Sequence, residues 1–311
     1  MFDAKKLPTV LTAEELIDKA FRRASKISSR NLRERAINKL ATVSNVLSSY
    51  FDKIIKSHPS YENLPEFYKE MIDLLVGIPR LKKSLAALKW ANEMIQKVIS
   101  KGISEIKKGK KPDVVIKSTY GRVASIVEQI DEELRFLNDA KNKLREIPSL
   151  QDIPTVVVAG YPNVGKSSFV AFVSSVKPEI ASYPFTTKKI SVGYIEKNGR
   201  IQIIDTPGLL DRPIHKRNKI EKRAILCLKY LADVILFIID PTETCGYAIE
   251  NQLSLLEEVK ATFDKPVLEV YSKADLHNKR DKPAFSVVTG EGINEILEKI
   301  EKVITHKRLH L

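Results

Sequence analysis

Cysteine and tryptophan are scarce: two cysteines, Cys227 and Cys245, and one tryptophan occur in 311 residues. The two thiols stand in no metal-ligand spacing, so ordinary reduced thiols are expected rather than a disulfide framework or a zinc site. No run of 18 or more apolar residues occurs, which argues against a membrane-spanning helix. The opening Met1-Phe2-Asp3-Ala4-Lys5-Lys6 has no apolar core of a secretory signal, so a cytoplasmic protein with no membrane partner is expected. Glycine is thin in the first half, with four of the twelve residues at positions 1–150. No internal repeat or low-complexity tract interrupts the chain.

Few glycines and long amphipathic stretches make residues 1–150 a helical domain, with helices expected at about 13–28, 31–57, 80–108 and 113–146. Thr12-Ala13-Glu14-Glu15 fits a capping box, and Pro59 and Pro79 mark breaks. Ile116, Tyr120, Val123, Val127, Ile130, Leu134 and Leu137 recur at alternating four- and three-residue steps, the seam of a helix packed into a bundle core. Charge is uneven. Residues 1–150 hold 29 Lys plus Arg against 19 Asp plus Glu, a net +10, whereas 151–311 hold 23 against 20, a net +3. The helical half is therefore the candidate for a polyanionic partner, with Lys101, Lys107, Lys108, Lys110, Lys111 and Lys117 clustered near one helix junction.

The second half, 151–311, is the size of one nucleotide-binding α/β unit. Thr155-Val156-Val157-Val158-Ala159 reads as a buried strand that runs into Gly160-Tyr161-Pro162-Asn163-Val164-Gly165-Lys166-Ser167-Ser168, a glycine-bounded phosphate loop opening a helix. Gly160 and Gly165 allow the tight path that turns amides toward phosphate oxygens, and the helix presents its positive end to the same anion. Lys166 adds charge at the β- and γ-phosphates, and the hydroxyl of Ser167 is placed for Mg²⁺. A second apolar strand, Ile201-Gln202-Ile203-Ile204, ends in Asp205-Thr206-Pro207-Gly208. There Asp205 can reach the ion and Gly208 stands beside the reacting phosphate.

Base choice is expected at Ser272-Lys273-Ala274-Asp275, after the strand-like Pro266-Val267-Leu268-Glu269-Val270-Tyr271. The Asp275 carboxylate can accept from N1–H and the exocyclic amine of guanine, whereas adenine offers an acceptor there and leaves it unpaired. Lys273 is expected along the base. Ser272 replaces the usual Asn and shortens the reach. Ser286 and the Val287 amide are candidates for the last base contact, with a satisfied turn serine as the alternative. Within Ser182-Tyr183-Pro184-Phe185-Thr186-Thr187, Thr187, or alternatively Thr186, can close over the metal when the γ-phosphate is present. Asn198-Gly199 is a hairpin signal.

The segments at 160–168, 183–187, 205–211 and Ile239-Asp240-Pro241-Thr242-Glu243-Thr244-Cys245-Gly246-Tyr247 together resemble the nucleolar GTP-binding protein family. That family is a ribosome-assembly branch of the Obg-like GTPases. The resemblance implies an α/β P-loop GTPase domain behind a helical bundle, binding GTP or GDP with Mg²⁺. It also implies a role in large ribosomal subunit maturation, with rRNA, the precursor particle and other assembly factors as partners. Leu209 stands where Ras-like GTPases carry the water-orienting Gln, so a low intrinsic rate is expected. Asn163 is similar to the Asn that helps hold K⁺ in related GTPases, which predicts K⁺-stimulated hydrolysis. A weakly catalytic, GTP-dependent RNA scaffold is the alternative, as is a GTPase acting on mature ribosomes or in tRNA modification. A basic run from Arg212 through His215, Lys216, Arg217, Lys219 and Lys222 to Arg223 could couple nucleotide state to RNA contact.

Overall fold

The computed structural model describes residues 3–184, 189–208, 210–211 and 218–308. The expected switch threonines Thr186 and Thr187, the Leu209 position, and Arg212, His215, Lys216 and Arg217 lie outside the described residues. Contacts divide the chain into two compact units. One runs up to Leu64 and resumes over Leu75–Arg145; the other joins Pro65–Leu74 to the chain from Glu146 onward.

The first unit is all helical. α1 (Ala13–Ser25) starts at the expected capping box, with the Thr12 hydroxyl accepting from the Glu15 amide and the Glu15 carboxylate from the Thr12 amide. α2 (Leu32–Ser57) is capped by Asn31, whose side chain accepts from the amides of Arg33 and Glu34. Next in the chain comes α3 (Glu66–Val76), which the sequence reading did not expect because the segment lies between the breaks at Pro59 and Pro79. Its Pro65–Leu74 portion groups with the second unit, where the Tyr68 hydroxyl accepts from the Leu150 amide at 2.8 Å. α4 (Ile78–Lys107) carries Pro79 in its first turn, where a missing N–H costs nothing.

The helix expected over 113–146 is two helices, α5 (Pro112–Gln129) and α6 (Asp131–Leu144), broken at Ile130. The apolar period continues through the break, since Val123, Val127, Ile130, Leu134 and Leu137 are all buried. The local signal is electrostatic: Asp131-Glu132-Glu133 suits a new helix N-terminus. The Asp131 carboxylate also accepts from the Ala13 amide at 2.8 Å, which ties the starts of α6 and α1 together. α4 and α5 approach closely at Gly102, where a Cβ would lie 2.6 Å from the Thr119 hydroxyl.

The second unit is built on a mixed sheet of order β2-β3-β4-β1-β5-β6. Its strands are β1 (Thr155–Ala159), β2 (Glu179–Ser182), β3 (Lys189–Glu196), β4 (Arg200–Asp205), β5 (Val234–Ile239) and β6 (Val267–Tyr271). β4, β1, β5 and β6 run parallel, while β2 and β3 are antiparallel additions at one edge. β1 and β5 are buried at every residue, as their unbroken apolar runs require between two covered faces. The hairpin between β3 and β4 turns through Lys197, Asn198 and Gly199, the last two with positive φ. α7 (Lys166–Val173), α9 (Ile249–Thr262) and α10 (Ile293–Arg308) pack on the sheet, and α8 (Lys219–Leu226) precedes β5.

Candidate functional site

Strand order brings the expected residues together. β1 lies between β4 and β5, so the loop after β1 is flanked by the carboxyl ends of both neighbours, where open α/β sheets bind ligands. The loop's path depends on positive φ at Gly160 (+135°), Asn163 (+62°) and Gly165 (+101°). Gly160 also passes against β5, where a Cβ would sit 2.4 Å from the Ile238 carbonyl oxygen. Among the described residues, the amides of Asn163, Val164, Gly165, Lys166, Ser167 and Ser168 donate to no protein acceptor. They form a run of donors at the start of α7, the arrangement that cradles phosphate oxygens. The Asn163 side chain is exposed at the loop's outer edge.

Lys166 is 6% exposed, and its ammonium bridges the loop by donating to the carbonyls of Gly160 at 2.8 Å and Tyr161 at 2.6 Å. Burial pushes this ammonium's pKa down, with Asp205 and Asp211 pulling part of the way back. The Ser167 hydroxyl donates to Asp205 Oδ2 at 2.5 Å. Asp205 Oδ1 is buried with no hydrogen-bond partner, and burial raises the carboxyl's pKa above its ordinary value despite the Ser167 bond. An orphaned buried carboxylate oxygen beside a serine hydroxyl fits a hard divalent cation with oxygen ligands, so the donor set suits Mg²⁺. Gly208 keeps a positive φ of +77° just beyond.

At the base end the structure separates the predicted residues. Asp275 is exposed and makes no hydrogen bond among the described residues, leaving its carboxylate available to an incoming base. The Val287 amide is likewise undonated. Two serines turn inward. Ser272 is 1% exposed and its hydroxyl donates to the Ile239 carbonyl at 3.3 Å, so it closes the β5–β6 junction rather than reaching outward. Ser286 is also 1% exposed, and its hydroxyl accepts from the amides of Val288 and Thr289, making it a turn residue.

Lys273 is held by partners within the chain. Its backbone is left-handed (φ +59°), and its ammonium donates to Asp240 Oδ2 at 2.6 Å and to the Thr244 hydroxyl at 2.5 Å. Asp240 was not among the predicted site residues. It is fully buried at the end of β5, and its carboxylate accepts from Thr242 N and Oγ1, Thr244 Oγ1, Cys245 N and Lys273 Nζ. Burial alone pushes the carboxyl up, but these donors outweigh it and hold the pKa at about 2. The signal available in the sequence was an Asp ending an apolar run and followed by Thr-x-Thr, a turn in which hydroxyls and amides fold back on the carboxylate.

The strand order, the loop of free amides and the paired Ser167 and Asp205 define a P-loop GTPase domain, carried on a chain whose first half is a helical bundle. The family model for the NOG1 N-terminal helical domain matches residues 4–151, and that for nucleolar GTP-binding protein 1 matches residues 219–275. An uncharacterized Methanocaldococcus jannaschii protein is 45% identical over 286 residues, covering 88% of this chain and 81% of its own. Nucleolar GTP-binding protein 1 of Saccharomyces cerevisiae is 29% identical over 307 residues, covering 94% of this chain and 47% of its own. A solved structure described as a candidate nucleolar GTP-binding protein 1 of Plasmodium falciparum is 32% identical, with a TM-score of 0.46, over 53% of this chain and 93% of that one. The chain belongs to the nucleolar GTP-binding protein 1 family. It spans 44% to 52% of the length of the curated relatives bearing that name.

Proposed function

We propose that this protein binds and hydrolyses GTP and acts as a nucleotide-controlled switch in assembly of the large ribosomal subunit. The observation that carries the nucleotide reading is the run of undonated amides at 163–168, set beside Lys166 and the Ser167–Asp205 pair, with a free Asp275 carboxylate at the base end. The amides and Lys166 bind the β- and γ-phosphates; Asp275 and the Val287 amide select guanine. Ser167, Asp205 and, from outside the described residues, Thr187 are the groups that would hold Mg²⁺, which when bound supplies positive charge at the reacting phosphate. Asn163 at the loop edge is the residue on which K⁺ stimulation rests. The cytoplasmic setting fits two buried free thiols, Cys227 and Cys245.

Calorimetry with guanosine and adenosine diphosphates tests the core of this reading: strong preference for guanosine is expected, and equal affinity overturns it. Turnover with and without large-subunit particles, in potassium and in sodium buffers, tests the switch. Stimulation by particles is expected, and negligible turnover throughout favours the scaffold reading instead.

The RNA part of the proposal is supported by a groove of about 780 Å³ between α1 and α2 in the helical unit. Lys19, Arg23 and Lys53 line it with no acidic partner among the described residues, together with the polar Thr42, Asn45 and Ser49. Cations that have no internal ion pair keep their full charge for phosphates, and counterion release makes such binding salt-dependent.

A further inference from the structure

Asp240 carries more hydrogen bonds than strand termination requires, and it connects the two ends of the nucleotide site. Its Oδ2 holds the Lys273 ammonium, two residues before Asp275, at 2.6 Å. Lys273 sits in a left-handed backbone conformation that a non-glycine residue keeps only when its surroundings impose it. The same carboxylate folds the 240–247 turn by accepting from Thr242, Thr244 and Cys245. Gln252 then locks that turn, accepting from the Asp240 amide at 2.8 Å and donating to the carbonyls of Asp240 and Tyr247. The Tyr247 ring lies 4.6 Å from the ring of Tyr161, centroid to centroid. Tyr161 is the phosphate-loop residue whose carbonyl accepts from Lys166.

We propose that Asp240 is a positioning residue for guanine selection. By anchoring the Lys273 ammonium it fixes the backbone of the base-reading loop, and so the direction in which Asp275 presents its carboxylate. The inference rests on the guanine reading above and names what holds that reading in register. Asp240 is fully buried. It acts through Lys273 on one side and through Tyr247 on the phosphate loop on the other.

The test compares guanosine diphosphate with inosine diphosphate, which lacks only the exocyclic amine that Asp275 is placed to accept from. The wild-type chain is expected to prefer guanosine by about tenfold or more, the value of a hydrogen bond to a charged group. Asp240→Asn is expected to bring that ratio below about threefold, because a misaimed Asp275 loses the amine contact. A purely structural role predicts weaker binding of both nucleotides by the same factor, with the ratio kept. If Asp240→Asn does not fold, Thr244→Val decides. It removes one partner of the Lys273 ammonium at an exposed hydroxyl, and a lowered ratio with an unchanged melting temperature supports the proposal. An unchanged ratio in the folded variants overturns it, as does a wild-type chain that prefers guanosine over adenosine yet does not distinguish guanosine from inosine. Absence of any guanosine binding overturns this inference and the function it rests on together.

Discussion

The two units are stabilised differently. Among the described residues, every non-glycine residue with positive φ lies in the nucleotide-binding unit: Asn163, Asn198, Glu243 and Lys273. Buried polar side chains follow the same division. The helical unit buries Ser44, Ser84, Thr119 and Lys141, while the other buries Lys166, Asp205, Thr206, Asp240, Gln252, Ser272 and Ser286 among others. A bundle reaches stability by matching apolar stripes and capping helix ends. A ligand site has to hold amides and carboxylates in directions that water and regular secondary structure do not favour. Asn198 belongs to the β3–β4 hairpin, but Asn163, Glu243 and Lys273, with the buried charges of Lys166, Asp205 and Asp240, lie in or beside the loops that follow β1, β4, β5 and β6.

Substitutions can break that contrast, beginning with the strongest effect. Gly160→Ala places a Cβ against the Ile238 carbonyl at a φ of +135°, and is expected to destabilise the nucleotide unit by about 3 kcal/mol or more. Thermal melting should show it, with nucleotide binding lost as well. Lys166→Ala should leave folding nearly intact but weaken guanosine diphosphate about a hundredfold, since it removes a charge-assisted contact to phosphate; calorimetry reads this directly.

Acid separates the units more finely. Asp240 is held at about 2, below its ordinary 3.8. Its contribution to stability is therefore fully present above pH 3.8 and lost as pH falls toward 2. Acid unfolding of the nucleotide unit should steepen in that window, and Asp240→Asn should flatten it. In the helical unit, Thr12→Ala removes the capping box of α1 and should cost about 1 kcal/mol. Denaturant melts that followed a larger loss would contradict a unit held mainly by apolar burial.

Much of the fold was legible because its signals are contiguous. β1 and β5 are unbroken apolar runs, and the phosphate loop is nine successive residues at 160–168, so local pattern alone placed them. α3 was missed because its segment lies between the breaks at Pro59 and Pro79, and the break at Ile130 because the residue is both a core position and a helix end. β2 was missed because it is a short, exposed edge strand without an apolar face. Asp275 is exposed after β6, where the sequence order put it. The inward direction of the Ser272 and Ser286 hydroxyls was not legible, because a serine's direction depends on which neighbour its hydroxyl meets.

Asp205 and Asp240 show where sequence stops. Each ends an apolar strand and is followed within a few residues by Thr and Pro, and the chain alone determined that both would lie at the carboxyl edge of the sheet. Only the tertiary structure decided their chemistry. Folding brings Asp240 to a lysine 33 residues away and surrounds it with donors that keep it ionised. Asp205 receives one serine hydroxyl and keeps a buried oxygen with no partner. A carboxylate's protonation and ligands are set by the dielectric and the donors around it, and those are assembled by strand order rather than by neighbours along the chain.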